Sequence, residues 1–242
     1  MDKYKNKKTN GLSVISVVLL IIGIMILIVY IQKSNDNYNR IKEYKNQHIV
    51  YSRVEIPDST YPKYVPYINI KSEDVTNANS EIESLINPYL GNKDTIVSYE
   101  YNVSGIYLSV VIKVEDYSVN NGPKVNFNTY IINLKNQRLV SNKEVLELFN
   151  TNEDEVSRII EYEFNNYYED LVNEEYYKSI RCDYSCFLKH REVSNYLDDI
   201  HYYIRNGDLV VFKPFIFYSS LNDGDYFEPT NYEFIIVETN KK

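Results

Sequence analysis

Twenty consecutive uncharged residues, Leu12 to Ile31, read LSVISVVLLIIGIMILIVYI. A helix rises about 1.5 Å per residue and the bilayer core is about 30 Å thick, so roughly 20 apolar residues span it. A helix packed on a globular core keeps a polar face over such a length, and this run has none. A cleaved signal peptide carries a shorter apolar stretch, about 7–15 residues, ending at a small-residue site. Here Tyr30-Ile31-Gln32-Lys33 follows instead, and no cysteine stands there to take a lipid. The sequence therefore predicts an uncleaved signal-anchor with a transmembrane helix over residues 12–31.

Lys3, Lys5, Lys7 and Lys8 precede the run against Asp2 alone, whereas the basic residues beyond it are diluted by Asp36 and Glu43. That bias places the N-terminus in the cytoplasm, and a long C-terminal segment translocates largely regardless of its charge. The organisation expected is a cytoplasmic tail (1–11), the span (12–31), a solvated stalk (32–46) and one extracytoplasmic domain (47–242).

The segment beyond the span carries 22 Lys and Arg (26 less the four leader lysines) against 33 Asp and Glu (34 less Asp2). A formal charge of −11 lacks the basic face that nucleic acid requires, so no nucleic-acid partner is expected. Tyrosine is abundant at 26 residues, but it accompanies an excess of Asn, Ile and Lys that AT-rich codons explain.

Periodicity sets the fold class. His48–Ile56 alternates as a strand, and Pro57, Pro62 and Pro66 mark a loop before a short strand at Tyr67–Ile70. Ser72 opens a helix with Val75, Ala78, Ile82, Leu85 and Ile86 on one face. Strands near Thr95–Val103 and Ile106–Asp116 flank Ser104-Gly105, and another covers Val125–Leu134. Ser141-Asn142-Lys143-Glu144 matches a capping box, and Thr151-Asn152-Glu153-Asp154 reads as a second one. Val156, Ile159, Ile160, Phe164, Tyr168, Leu171 and Val172 stripe the helix that follows. The stretch from Tyr176 to Asp199 reads as irregular or broken helix. Asn206-Gly207-Asp208 between Tyr202–Arg205 and Leu209–Phe212 is a strong hairpin signal, and Tyr232–Val237 closes the sheet. Strands in a row, then helices, then strands predict α+β with a mainly antiparallel sheet and packed helices.

Four segments in this order carry a resemblance. They are Pro66–Ile70 with Asn79-Ser80-Glu81-Ile82; Leu108-Ser109-Val110 through Tyr117; Tyr130–Leu134 with Leu139-Val140-Ser141 and Glu147-Leu148-Phe149; and Tyr203–Phe212. Together they resemble the extracytoplasmic domain family shared by the lysozyme-responsive anti-sigma factor and a membrane-anchored peptidoglycan deacetylase of Gram-positive bacteria, over about residues 64–238. One departure is plain: where the family has a Gly-Gly-Ala-His turn, this chain has Asn120-Asn121-Gly122-Pro123. No role of the family histidine therefore carries over. The leader is too short for an anti-sigma domain and no deacetylase domain follows, so the resemblance implies the shared ectodomain alone.

Chemistry-bearing motifs are sparse. His48, His190 and His201 are the only histidines. Asp198-Asp199 beside His201 lacks any metal-ligand spacing such as H-E-x-x-H and reads as a helix end running into a strand. Asn222-Asp223-Gly224-Asp225 resembles part of a calcium loop, but counted from Asp223 the twelfth position falls on Phe234 rather than on an acid. It reads as a surface turn. No phosphate-binding glycine loop and no G-x-S-x-G elbow occur. No metal, cofactor or catalytic residue is assigned.

Cys182-Asp183-Tyr184-Ser185-Cys186 is the sharpest local feature. An oxidising compartment and an even cysteine count point to a Cys182–Cys186 disulfide in a locally broken helix. Two reduced, buried thiols and a metal pair lacking partners are the other readings. The function expected is a membrane-anchored binding or interaction domain at the cell envelope, without catalysis of its own, facing a cell-wall protein or wall polymer. The alternative is an enzyme acting on peptidoglycan or another wall polymer.

Overall fold

A computed structural model of the chain describes Ser16 and residues 18–33, 48–57, 60–118, 124–172, 199–219, 224–228 and 233–239. Two compact units divide it, Met1–Gln47 and His48–Lys242.

In the first unit, residues 18–33 form helix α1. Its large apolar side chains from Val18 to Ile31 are all exposed, between 43% and 72%. Among the described residues no helix is long and apolar enough to cross a membrane. Residues 34–46 of the expected stalk lie outside the described residues.

The second unit is α+β. Six strands form one sheet in sequence order: β1 (Val50–Ile56), β2 (Lys63–Ile68), β3 (Thr95–Ser104), β4 (Tyr107–Asp116), β5 (Lys124–Asn133) and β6 (Arg138–Leu139). The sheet is mixed. β2 and β3 meet in parallel at Lys63↔Val97, and the other neighbours are antiparallel. Helix α2 (Glu73–Leu90) provides the parallel crossover from β2 to β3. After α3 (Asn142–Leu148) and α4 (Glu153–Val172), β7 (His201–Arg205), β8 (Asp208–Phe212) and β11 (Glu233–Val237) form a three-stranded sheet in the order β11-β8-β7. β9 (Phe215–Ser219) and β10 (Gly224–Glu228) make a separate hairpin.

Local chemistry explains the boundaries. Ser72 caps α2 by accepting from the Val75 N–H, with Glu73 and Asp74 against the positive end of the helix dipole. Ser141 and Glu144 close a reciprocal capping box on α3. The second expected box is shifted by one residue: Asn152, not Thr151, accepts the Glu155 N–H. Thr151 instead donates its hydroxyl to the Glu155 carboxylate. Gly105 at φ +59 turns β3 into β4, and Asn206-Gly207 at φ +54 and +96 turns β7 into β8. Two positive φ values in a two-residue loop match the right-handed strand twist.

Pro66 is a second correction, for it sits inside β2 rather than in the loop before it. Proline cannot donate to a ladder. The register shift between Ser52 and Val54 on β1, directly opposite Pro66, absorbs the missing donor. The strand expected at Tyr67–Ile70 accordingly runs from Lys63 to Ile68.

Alternation along β7 and β8 gives the smaller sheet two buried faces. Val111, Val125 and Phe127 face Tyr203, Val210 and Phe212 of the three-stranded sheet. The opposite face of that smaller sheet, with Tyr202, Ile204, Leu209, Val211, Phe234 and Ile236, packs on Val145, Leu146, Val156, Ile160 and Phe164 of α3 and α4. Each such fully buried side chain contributes about 1.5–3 kcal/mol of transfer free energy. The joint between the sheets is also polar. Among the described strands β7 pairs with β8, and its other edge directs the Ile204 N–H to Ser109 Oγ (3.1 Å) and the Asn206 N–H to Asn102 Oδ1 (3.1 Å).

Candidate functional site

The site begins with a conflict in the β5 pattern. Lys124 to Asn133 alternates, so Val125, Phe127, Thr129 and Ile131 share one face and Lys124, Asn126, Asn128 and Tyr130 the other. On β4 the residues paired with the second set include Val110, Ile112 and Val114, all buried and apolar. Helix α2 lies on this face. Its Asp74 accepts the Leu139 N–H of β6 (3.1 Å), and its Glu81 accepts the Tyr130 hydroxyl proton. A sheet face under a helix is normally apolar. On β5 that face reads Lys-Asn-Asn-Tyr, with Lys124 exposed and Asn126 and Asn128 half-buried.

The polar stripe lines a groove. One cavity of about 310 Å³ lies among Tyr89, Lys124, Asn126, Asn128, Asp199 and His201, with Leu85, Phe127 and Pro214 supplying apolar surface. A second, about 490 Å³, lies among Glu81, Asn128, Thr129, Tyr130, Arg138 and His201. The two share Asn128 and His201, so they form successive parts of one groove beside β5. The walls are the C-terminal half of α2 on one side and the start of β7 on the other.

Its electrostatics are set by burial and local pairing. Burial holds the His201 imidazole below its ordinary pKa, assisted by the Lys213 ammonium and opposed by the Asp199 carboxylate. His201 stands 6.4 Å from the Phe127 ring, centroid to centroid. Burial and the Glu81 carboxylate push the Tyr130 phenol up, so it is a hydrogen-bond donor throughout the physiological range. Glu144 is held at about 2 by Arg138 and by Ser141, so its charge is committed to the α3 cap. The groove thus offers a neutral imidazole, amides and a phenol, with one carboxylate at each wall.

Of the residues weighed in the sequence, Asp199 and His201 line the same cavity. Asp199 sits at φ +54, two residues before the start of β7; the helix end expected ahead of it lies outside the described residues. His48 lies exposed just before β1 and does not line the groove. His190, Asp198, Cys182, Cys186, Asn222 and Asp223 lie outside the described residues, as does the Asn120–Pro123 turn. Among the described residues no group of three His, Cys, Asp or Glu side chains is placed to hold a metal. The sequence reading missed Asn126 and Asn128. The available signal was the alternation itself, which puts polar residues on what the topology makes the helix-covered face.

A second cluster is an ion-pair network. Arg205 pairs with Glu100 (2.6 Å) and with Glu233, and its guanidinium lies 5.5 Å from the Tyr203 ring centroid. It ties β3, β7 and β11 together and has a structural role. Compared with known proteins, no family model matches the chain and no curated protein matches it.

Proposed function

We propose that the chain is a single-pass membrane protein that holds residues 48–242 outside the cytoplasm as a binding domain of the cell envelope. The observation that carries this reading is the uncharged twenty-residue run Leu12–Ile31, of which helix α1 is the described part. A run in which every large side chain from Val18 to Ile31 stands in the open has lipid as its natural solvent. The lysine-rich leader supports N-terminus inside, and the resemblance of residues 64–238 to an extracytoplasmic family supports a partner in the wall. Protease added to intact protoplasts tests the topology. It removes the C-terminal domain if the reading is right, and full protection of the C-terminus overturns it.

The groove beside β5 supports binding over catalysis. It combines hydrogen-bonding amides with a half-buried, neutral imidazole, and among the described residues no nucleophile is paired to a base there. One observation favours the second reading, an enzyme acting on wall polymer: Asp199 and His201 share a cavity with Lys124. Turnover of peptidoglycan fragments, lost on His201→Ala or Asp199→Ala, would establish that reading instead.

A further inference from the structure

We propose that the groove takes an extended peptide segment of a partner protein, added as a strand along the outer edge of β5. The inference deepens the binding reading above and rests on it.

Backbone geometry carries it. β6 pairs with β5 only at Ile132 and Asn133. The Ile131 carbonyl accepts the Val140 N–H (2.8 Å) and the Asn133 carbonyl accepts the Gln137 N–H (2.7 Å), so odd-numbered residues of β5 point their polar groups away from β4. Alternate residues of an antiparallel strand share that direction. Val125 and Thr129 therefore aim N–H and C=O outward, and no hydrogen bond among the described residues closes them. The groove runs along this same edge.

Side chains repeat the message at the same period. Lys124, Asn126 and Asn128 stand two residues apart, about 6.6–6.8 Å from one to the next. The backbones of Asn126 and Asn128 pair with β4, but no hydrogen bond among the described residues engages their side-chain amides. A peptide strand laid beside β5 has the same repeat, so its alternate side chains fall beside successive amides. Main-chain pairing of this kind supplies affinity, and the flanking pockets select alternate side chains. The chemistry selected is polar, hydrogen-bonding side chains on the α2 side, opposite side chains that meet His201 and Pro214. The strand period favours a peptide over a saccharide, whose repeat has no reason to match it.

The test uses the full chain in detergent micelles and a phage-displayed library of random octapeptides. The best binder is synthesised with N-methyl groups at each peptide position in turn. Strand addition predicts a two-residue alternation, each blocked amide in one phase losing about tenfold or more and those in the other phase little. Thr129→Pro removes an outward N–H without touching the β4 ladder, a position where an edge strand tolerates proline. It should weaken the same peptide by about tenfold with its thermal unfolding retained. Should that variant fail to fold, the N-methyl scan alone decides. A binder insensitive to both, or capture of chitooligosaccharides by the same groove in place of peptides, overturns strand addition while leaving the binding reading intact. Absence of any binder of either class overturns both.

Discussion

The Asn79 side chain holds Ile68 from both sides of its peptide backbone. The amide oxygen accepts the Ile68 N–H and the amide nitrogen donates to the Ile68 carbonyl, each at 2.9 Å and each buried. The side chain acts as a one-residue strand that joins α2 to the end of β2. Replacing it by Ala leaves a buried donor and a buried acceptor unmet, at about 1–3 kcal/mol each less any relaxation. Asn79→Ala should lower stability by about 2–4 kcal/mol, seen as a lower urea midpoint at unchanged slope.

Ser109 does similar work between the sheets. Its hydroxyl oxygen receives the Ile204 N–H, and Ser109 itself is fully buried. Ser109→Ala should cost about 1–3 kcal/mol, and the Ile204 amide should exchange with solvent faster than its β8 neighbours.

Gly207 and Gly105 both sit at positive φ, but only one is crowded. A Cβ at Gly207 would lie 3.0 Å from Thr239 Oγ1, whereas at Gly105 it meets nothing. Each alanine carries the left-handed penalty of about 1–2 kcal/mol. Gly207→Ala should cost more than Gly105→Ala in parallel thermal melts, and equal losses would show that Thr239 moves aside freely.

Acid should act in two windows. The His201 pKa is lowered in the folded state, so below the ordinary histidine value of 6.5 the unfolded chain binds the extra proton. Stability from this group is whole above that pH and declines as pH falls. His201→Phe should flatten that part of the curve. Glu144 is held at about 2 against an ordinary 4.5, so its contribution is present above 4.5 and disappears as pH falls towards 2. Glu144→Gln should flatten only this lower window. Both slopes are read from urea unfolding across pH.

What the sequence made legible were features whose physics is local. Ser72, the Ser141–Glu144 box and Asn206-Gly207 each act within four residues, and each stands where it was expected. Pro66 was misplaced because its tolerance depends on a bulge in another strand. β6, β9 and β10 were missed, β6 because two residues hold no period. The groove was harder still. Asn126 and Asn128 are ordinary polar alternates until the topology shows which face α2 covers. Glu81 meets Tyr130 only because a strand and a helix distant in sequence pack together.

The polar joint at Ser109 also sets a clock. Its partner Ile204 lies 95 residues further along the chain. At about 5–20 residues per second a ribosome delivers that partner roughly 5–19 s after Ser109. The β3–β4 hairpin closes in microseconds, so through that interval the nascent sheet presents Val111, then Phe127, with no cover from Tyr203 or Phe212. Until its last strands emerge, the growing chain is a client for whatever shields apolar surface during synthesis.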